Sequence, residues 1–181
     1  MNIKTVTAHV RINSAIFRSF ALFDTFRLRK KWKSPALFCA IFLFFAQICF
    51  MLENRAEQAS MIGTLLLIVG VALPAAYILS FLVQVHDQCK RLGLKTLRPA
   101  YTLNMTDTEL RVINDMASEP EGRFAWDSIH GVWRTENAFY LYVTPARAFL
   151  LPDGQSSLTA AQLWNFLLER IGEDKLHGKM P

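Results

Sequence analysis

Apolar and polar positions alternate near the start of the chain. Val6, Ala8, Val10 and Ile12 fall on one side, Thr5, Thr7, His9 and Arg11 on the other, and a period of two predicts a half-buried strand. The period then lengthens. Asn13 or Ser14 can cap a helix with Ile16, Phe17, Phe20, Phe23 and Phe26 on its apolar side, amid the basic residues Arg18, Arg27, Arg29, Lys30, Lys31 and Lys33. A basic amphipathic helix of this kind suits a membrane interface, with Trp32 at headgroup level; the alternative is a straight cytosolic extension of the helix that follows. Residues 35–52 carry no charge, and as a helix they run roughly 27 Å, close to the hydrocarbon thickness of a bilayer. Pro35 suits the first turn, where its missing N–H costs nothing. A polar stretch with Glu53, Asn54, Arg55, Glu57 and Gln58 follows, and residues 61–85 are uncharged again. Pro74 predicts a kink in this second span, and Gly63, Gly70, Ala72, Ala75 and Ala76 are small enough to let two helices approach closely.

Residues 86–99 form a basic connector ending at Pro99. From residue 100 the pattern is one of short strands, over 101–105, 110–114, 123–126, 129–135, 138–143 and 148–151. Turn chemistry separates them at Thr106-Asp107, across 117–122, at Glu136-Asn137 and at Thr144-Pro145. Strands spaced about ten residues apart predict an antiparallel sheet. One amphipathic helix closes the chain. Thr159 and Gln162 make a capping box, and Leu158 and Leu163 can staple it. Its stripe is Leu163, Phe166, Leu167 and Ile171, widened by Trp164 and Leu168. Arg170 suits the negative helix end and Gly172 terminates it, leaving 173–181 as a polar, frayed tail. Six strands would leave an unpaired edge. Residues 5–12 are the one further strand-like segment, so they are expected to pair with the C-terminal sheet and make the helical hairpin an insertion into one soluble domain; the alternative is a free tail.

Charge sets the orientation. The formal net charge is +5, but residues 1–100 hold 13 Lys/Arg against 4 Asp/Glu, whereas residues 101–181 hold 7 against 11. The cations crowd the outer ends of the two spans, at Arg27, Arg29, Lys30, Lys31, Lys33, Lys90 and Arg91. Together with Trp32 these are the candidate membrane-interface residues, and membrane lipid is the expected partner. The excess of cations outside the spans places both termini in the cytoplasm. Residues 1–9 contain no apolar core of a signal peptide, so the spans are expected to act as anchors. An acidic C-terminal part excludes nucleic-acid binding. Cys39, Cys49 and Cys89 have neither zinc spacing nor an even count for a disulfide framework. The organisation expected is an N-terminal strand and juxtamembrane helix at 1–34, a transmembrane hairpin at 35–85, the connector at 86–99 and a soluble domain at 100–181.

Four segments of that domain, Leu-Asn-Met-Thr-Asp-Thr-Glu-Leu at 103–110, Phe-Ala-Trp-Asp-Ser-Ile at 124–129, Ala-Phe-Tyr-Leu-Tyr-Val at 138–143 and Phe-Leu-Leu-Pro at 149–152, resemble the YcxB-like family. The resemblance implies an α+β membrane protein, with a two-helix hairpin followed by an antiparallel pleckstrin-homology-like sheet closed by a C-terminal helix. Trp126-Asp127-Ser128-Ile129 and Leu151-Pro152 are its most specific parts. Trp126, Asp127, Ile129, Tyr140, Pro152, Leu163 and Phe166 are read as the signature and core of that domain. The resemblance implies no activity. Pro152 is followed by Asp153-Gly154-Gln155 where a basic residue is expected, which removes a cation from any lipid contact there.

Candidate chemistry is sparse. Asp127, Ser128 and His130 are close in sequence, but a hydrolytic triad needs convergence in space and an oxyanion site, so a turn beside a core Trp126 is expected. His86, Asp87 and Cys89 lack the second cluster of a metal site. Gln47 is the one notable polar side chain within the spans, which hold no ionisable group of the kind that marks a transport pathway. Pleckstrin-homology domains that bind phosphoinositides use Lys/Arg around their first hairpin. Here Asn104-Met105-Thr106-Asp107 is acidic, with Arg111 and Arg123 the nearest bases. The expected function is therefore a membrane-anchored, non-enzymatic adaptor without cofactor or metal, presenting its domain to a cytoplasmic protein partner. The alternatives are a lipid or envelope-stress sensor acting through the hairpin, and an accessory subunit of a membrane enzyme or transporter.

Overall fold

A computed structural model describes residues 5–52, 58–114 and 121–181. The expected polar turn at Glu53, Asn54, Arg55 and Glu57, and most of the expected loop at 117–122, lie outside the described residues. The chain forms two compact units: Met1–Ile16 with Leu94–Pro181, and Phe17–Gly93.

The first unit is built on two four-stranded sheets. One has the order β1 (Thr5–Ile12), β2 (Arg98–Thr106), β3 (Glu109–Asn114), β4 (Gly122–Ala125). The other runs β7 (Arg147–Pro152), β6 (Ala138–Thr144), β5 (Gly131–Arg134), β8 (Leu176–His177). Neighbours are antiparallel except β5 and β8, which are parallel. The N-terminal strand thus joins the C-terminal sheet. Val6 pairs with Met105, Ala8 with Leu103 and Val10 with Tyr101, which puts the apolar phase of both strands on one buried face. The free edge of β1 is covered as well. Ser157 N–H donates to the Thr7 carbonyl at 3.1 Å, Arg11 N–H to Gln155 Oε1 at 2.7 Å and Gln155 Nε2 to the Arg11 carbonyl at 3.1 Å. Such cover blunts an edge that would otherwise template pairing with another chain.

The helix α4 (Ala160–Ile171) carries the expected capping box of Thr159 and Gln162 and buries Leu163, Phe166, Leu167 and Ile171. Three local expectations need correction. The third strand ends at Ala125, and Trp126–Ser128 form a 3-10 turn in which Ser128 Oγ donates to the Ala125 carbonyl at 2.7 Å; the fourth begins only at Gly131. The tail after Gly172 is not frayed. A 3-10 turn at Glu173–Lys175 delivers Leu176 into the core as part of β8, because burying that one apolar side chain and pairing with β5 outweighs the polar surroundings. The turn at Thr106-Asp107, read as the first hairpin, is the second connection of its sheet, since β1 precedes β2.

The second unit holds all but the first turn of α1 (Ser14–Leu22), a π-helical turn (Phe23–Leu28), α2 (Lys33–Met51) and α3 (Ala59–Arg91). Asn13 Oδ1 accepts from Ile16 N–H at 3.0 Å and so caps α1. The helix α3 runs through Pro74 and continues six residues past Val85, so the first half of the expected connector at 86–99 is helical. His86, Gln88, Lys90 and Arg91 are compatible with a helix, and the polarity that suggested a connector reflects exposure alone.

Candidate membrane interface

The helices α2 and α3 are 19 and 33 residues long, and both are long and apolar enough to cross a membrane. Only 6% of each helix's most apolar stretch is buried. Leu37, Phe44 and Phe45 of α2 and Leu65, Ile68 and Leu79 of α3 are all exposed, an arrangement that water does not favour over so large an area. The two helices meet through glycines. A Cβ on Gly63 would lie 3.1 Å from Cys49 Cβ, and one on Gly70 would lie 2.7 Å from Phe42 Cβ. Seven residues separate these glycines, so they share a face. Ala72, Ala75 and Ala76, expected at the same contact, are exposed on other faces.

All the charged candidates lie at the surface: Arg27 in the π-helical turn, Arg29, Lys30 and Lys31 after it, Lys33 opening α2, and Lys90 and Arg91 in the last turn of α3. Trp32 is half exposed. The last two cations complement the negative end of α3. Lys30 has a φ of 50°, a left-handed conformation that reverses the chain between the π-helical turn and α2. This break means that α1 is not a straight extension of α2. Arg18 of α1 reaches α3, its Nη2 donating to His86 Nδ1 at 3.0 Å, and Phe26 of the π-helical turn meets Phe81 edge-on with ring centres 5.0 Å apart.

Two cavities of about 410 and 400 Å³ lie in this unit, and Lys31 and Tyr77 line both. The first also meets Asp24, whose carboxylate binds Arg29 Nε at 2.8 Å. The second is bounded by Pro35, Phe38, Leu73 and Pro74.

The signature residues of the first unit are structural. Trp126 is buried, donates from Nε1 to the Thr106 carbonyl at 2.9 Å and meets Phe166 edge-on at 6.2 Å. Arg170 lies 3.5 Å over the Phe166 ring, donates to the Phe166 carbonyl at 2.9 Å and pairs with Asp107. Helix α4 is thereby tied to the β2–β3 turn. Asp127 is exposed, and its carbonyl accepts from Lys175 Nζ at 2.8 Å. Ile129, Tyr140, Pro152 and Leu163 are buried, and burial pushes the Tyr140 phenol above its ordinary pKa. Asp153, which stands where a base was expected, forms a fork with Arg134 through two 2.7 Å bonds.

Ser128, engaged in its own turn, does not meet Asp127 and His130 as a triad, and His130 sits instead beside Trp133 with ring centres 6.0 Å apart. Cys89 is buried, and His86 is taken by Arg18. Among the described residues no three of His, Cys, Asp and Glu come together as a metal site. Sequence reasoning missed Tyr101. Its hydroxyl donates to the Leu150 carbonyl at 2.9 Å and accepts from Leu150 N–H at 2.6 Å, and burial pushes its pKa up. It also missed the cavity residues Asp24 and Tyr77. The apolar-to-polar change along one face of α3 is the signal that could have found Tyr77; Asp24, in the π-helical turn, lies outside it.

The family model of the YcxB-like protein matches residues 116–163. No curated protein and no solved structure matches the chain. The YcxB-like segment holds Trp126, Asp127, Ile129, Tyr140, Pro152 and Leu163, and Phe166 follows it by three residues. Strands β1 to β3 and the helical unit lie outside it. Two long apolar helices are compatible with the membrane setting that the YcxB-like resemblance implies.

Proposed function

We propose that the protein is an integral membrane, non-enzymatic adaptor. Its hairpin of α2 and α3 crosses the bilayer, both termini lie in the cytoplasm, and the first unit is a pleckstrin-homology-like domain that binds a cytoplasmic protein. The pairing of β1 with β2 carries this reading. The chain leaves the sheet after β1 and returns before β2, with Ser14 N–H donating to the Leu94 carbonyl at 2.9 Å. A membrane segment inserted there must enter and leave on one side, as two spans do, and the cations at both outer ends support the cytoplasm as that side. The strand order, four in one sheet and three antiparallel strands with a two-residue fourth in the other, and the closing helix support a pleckstrin-homology-like barrel. Arg170, the cation beside the β2–β3 turn, is engaged by Asp107, which supports a protein rather than a phosphate as the ligand of this turn.

Purification of the full chain in mild detergent tests the adaptor role. A single stoichiometric cytoplasmic protein is expected to accompany it. Trp126→Ala is expected to destabilise the domain by about 3–5 kcal/mol, the usual loss for a fully buried aromatic, and to release that protein while leaving the chain in the membrane. A chain that elutes with lipid alone contradicts the adaptor reading.

A further inference from the structure

We propose that the helical unit binds one phosphate-bearing membrane lipid, its phosphate on Lys31 and one acyl chain along Leu73 and Pro74. This rests on the reading that α2 and α3 lie in a bilayer. Leu73, Tyr77, Phe81, Gln84 and Gln88 recur at helical spacing and so share one face of α3. From Leu73 to Gln88 that face runs roughly 22 Å. It changes character along its length: the cavity at the Pro74 end is walled by Pro35, Phe38 and Leu73, whereas the other mixes Phe17, Phe20 and Phe81 with Asp24, Ser80, Gln84 and Gln88. Lys31 and Tyr77 line both, so the two cavities adjoin at these residues, and we take them together as one groove.

An amphiphile standing in one leaflet has that same order of parts. Its chain is apolar, a phosphate follows, and polar headgroup atoms lie beyond. The charges also fit. Asp24 is neutralised by Arg29, while among the described residues the Lys31 ammonium has no ion pair. The groove therefore offers one uncompensated cation, which a phosphate oxygen meets by a charge-assisted hydrogen bond. A wholly apolar peptide stripe fits less well, because Asp24, Ser80, Gln84 and Gln88 interrupt the Phe17, Phe20 and Phe81 wall at that end.

Native mass spectrometry of the full chain, delipidated in detergent and titrated with dioleoylphosphatidylglycerol, tests the site. The wild type is expected to take up one lipid ahead of any further binding. Lys31→Ala should weaken that first step about tenfold, the scale of one charge-assisted contact, and Leu73→Trp, which fills the apolar end, should weaken it with Lys31 intact. Lys95→Ala should leave it unchanged. Equal uptake by wild type, Lys31→Ala and Leu73→Trp would overturn the proposal, as would a peptide adduct that displaces lipid. Alkaline carbonate extraction of membranes separates the two claims. Release of the chain removes the membrane reading and the lipid site with it, whereas a chain that stays in the membrane yet takes up no discrete first lipid overturns the lipid site alone.

Discussion

At the scale of residues, the most informative side chain is one that local patterning did not reveal. Tyr101 reaches across 49 positions to both backbone groups of Leu150, so its role exists only once β2 faces β7. Trp126 was legible because a large aromatic where a strand ends beside apolar neighbours has few places to go but inward. Its partners, the Thr106 carbonyl and Phe166, were not. Tyr101→Phe keeps the ring and strands a buried N–H and C=O, which should cost about 1–3 kcal/mol in thermal unfolding. The same residue predicts a pH effect. The phenols of Tyr101 and Tyr140 have raised pKa values in the fold, so between the unfolded value near 10 and the folded value the native state holds protons that the unfolded state has lost. Their stabilisation is complete below about pH 10 and is lost as pH rises through the folded values. Melting temperature should fall above about pH 10, and less steeply in Tyr101→Phe. An unchanged slope in that variant would show that other groups govern the alkaline limit.

At the scale of elements, periodicity carried most of the fold. The period of two over residues 5–12 specified which side chains of β1 enter the core, and the need to cover a sheet edge specified its partner. The two-residue strand β8 left no such trace, since a lone Leu176 in a polar tail has no period. The helix pairing was legible in part. Gly63 and Gly70 lie at the contact, while Ala72, Ala75 and Ala76 do not, because small residues mark a helix interface only where their phase agrees. Gly70→Val drives a side chain into Phe42 and should destabilise the hairpin in detergent by about 1–3 kcal/mol, as overpacking does; Ala72→Val should leave its melting unchanged. Equal effects would place the interface elsewhere. The strand is tested by expressing residues 98–181 alone and with residues 5–13 joined by a flexible linker. Without Val6, Ala8 and Val10, each 0–1% exposed, the short chain should be insoluble or melt without cooperativity, and the added strand should restore a sharp transition. A short chain that already melts cooperatively, with no gain from the strand, would mean that β1 is dispensable.

At the scale of the whole molecule, one feature organises the rest: a pair of apolar helices inserted between two strands that pair with each other. Its existence was legible because charge, apolar length and strand count agree independently. The identity of the proposed protein partner was not, since a binding surface leaves no period and no motif in one sequence. Cysteine accessibility tests this arrangement most directly, in intact cells and in a background lacking Cys39, Cys49 and Cys89. Gln58→Cys, at the start of α3, should react with an impermeant thiol reagent added from outside. Arg11→Cys on β1 and Glu136→Cys between β5 and β6, both at exposed positions, should react only after the membrane is opened. Labelling of Arg11→Cys and Glu136→Cys from outside, or of one but not the other, would contradict a single cytoplasmic domain interrupted by a membrane hairpin.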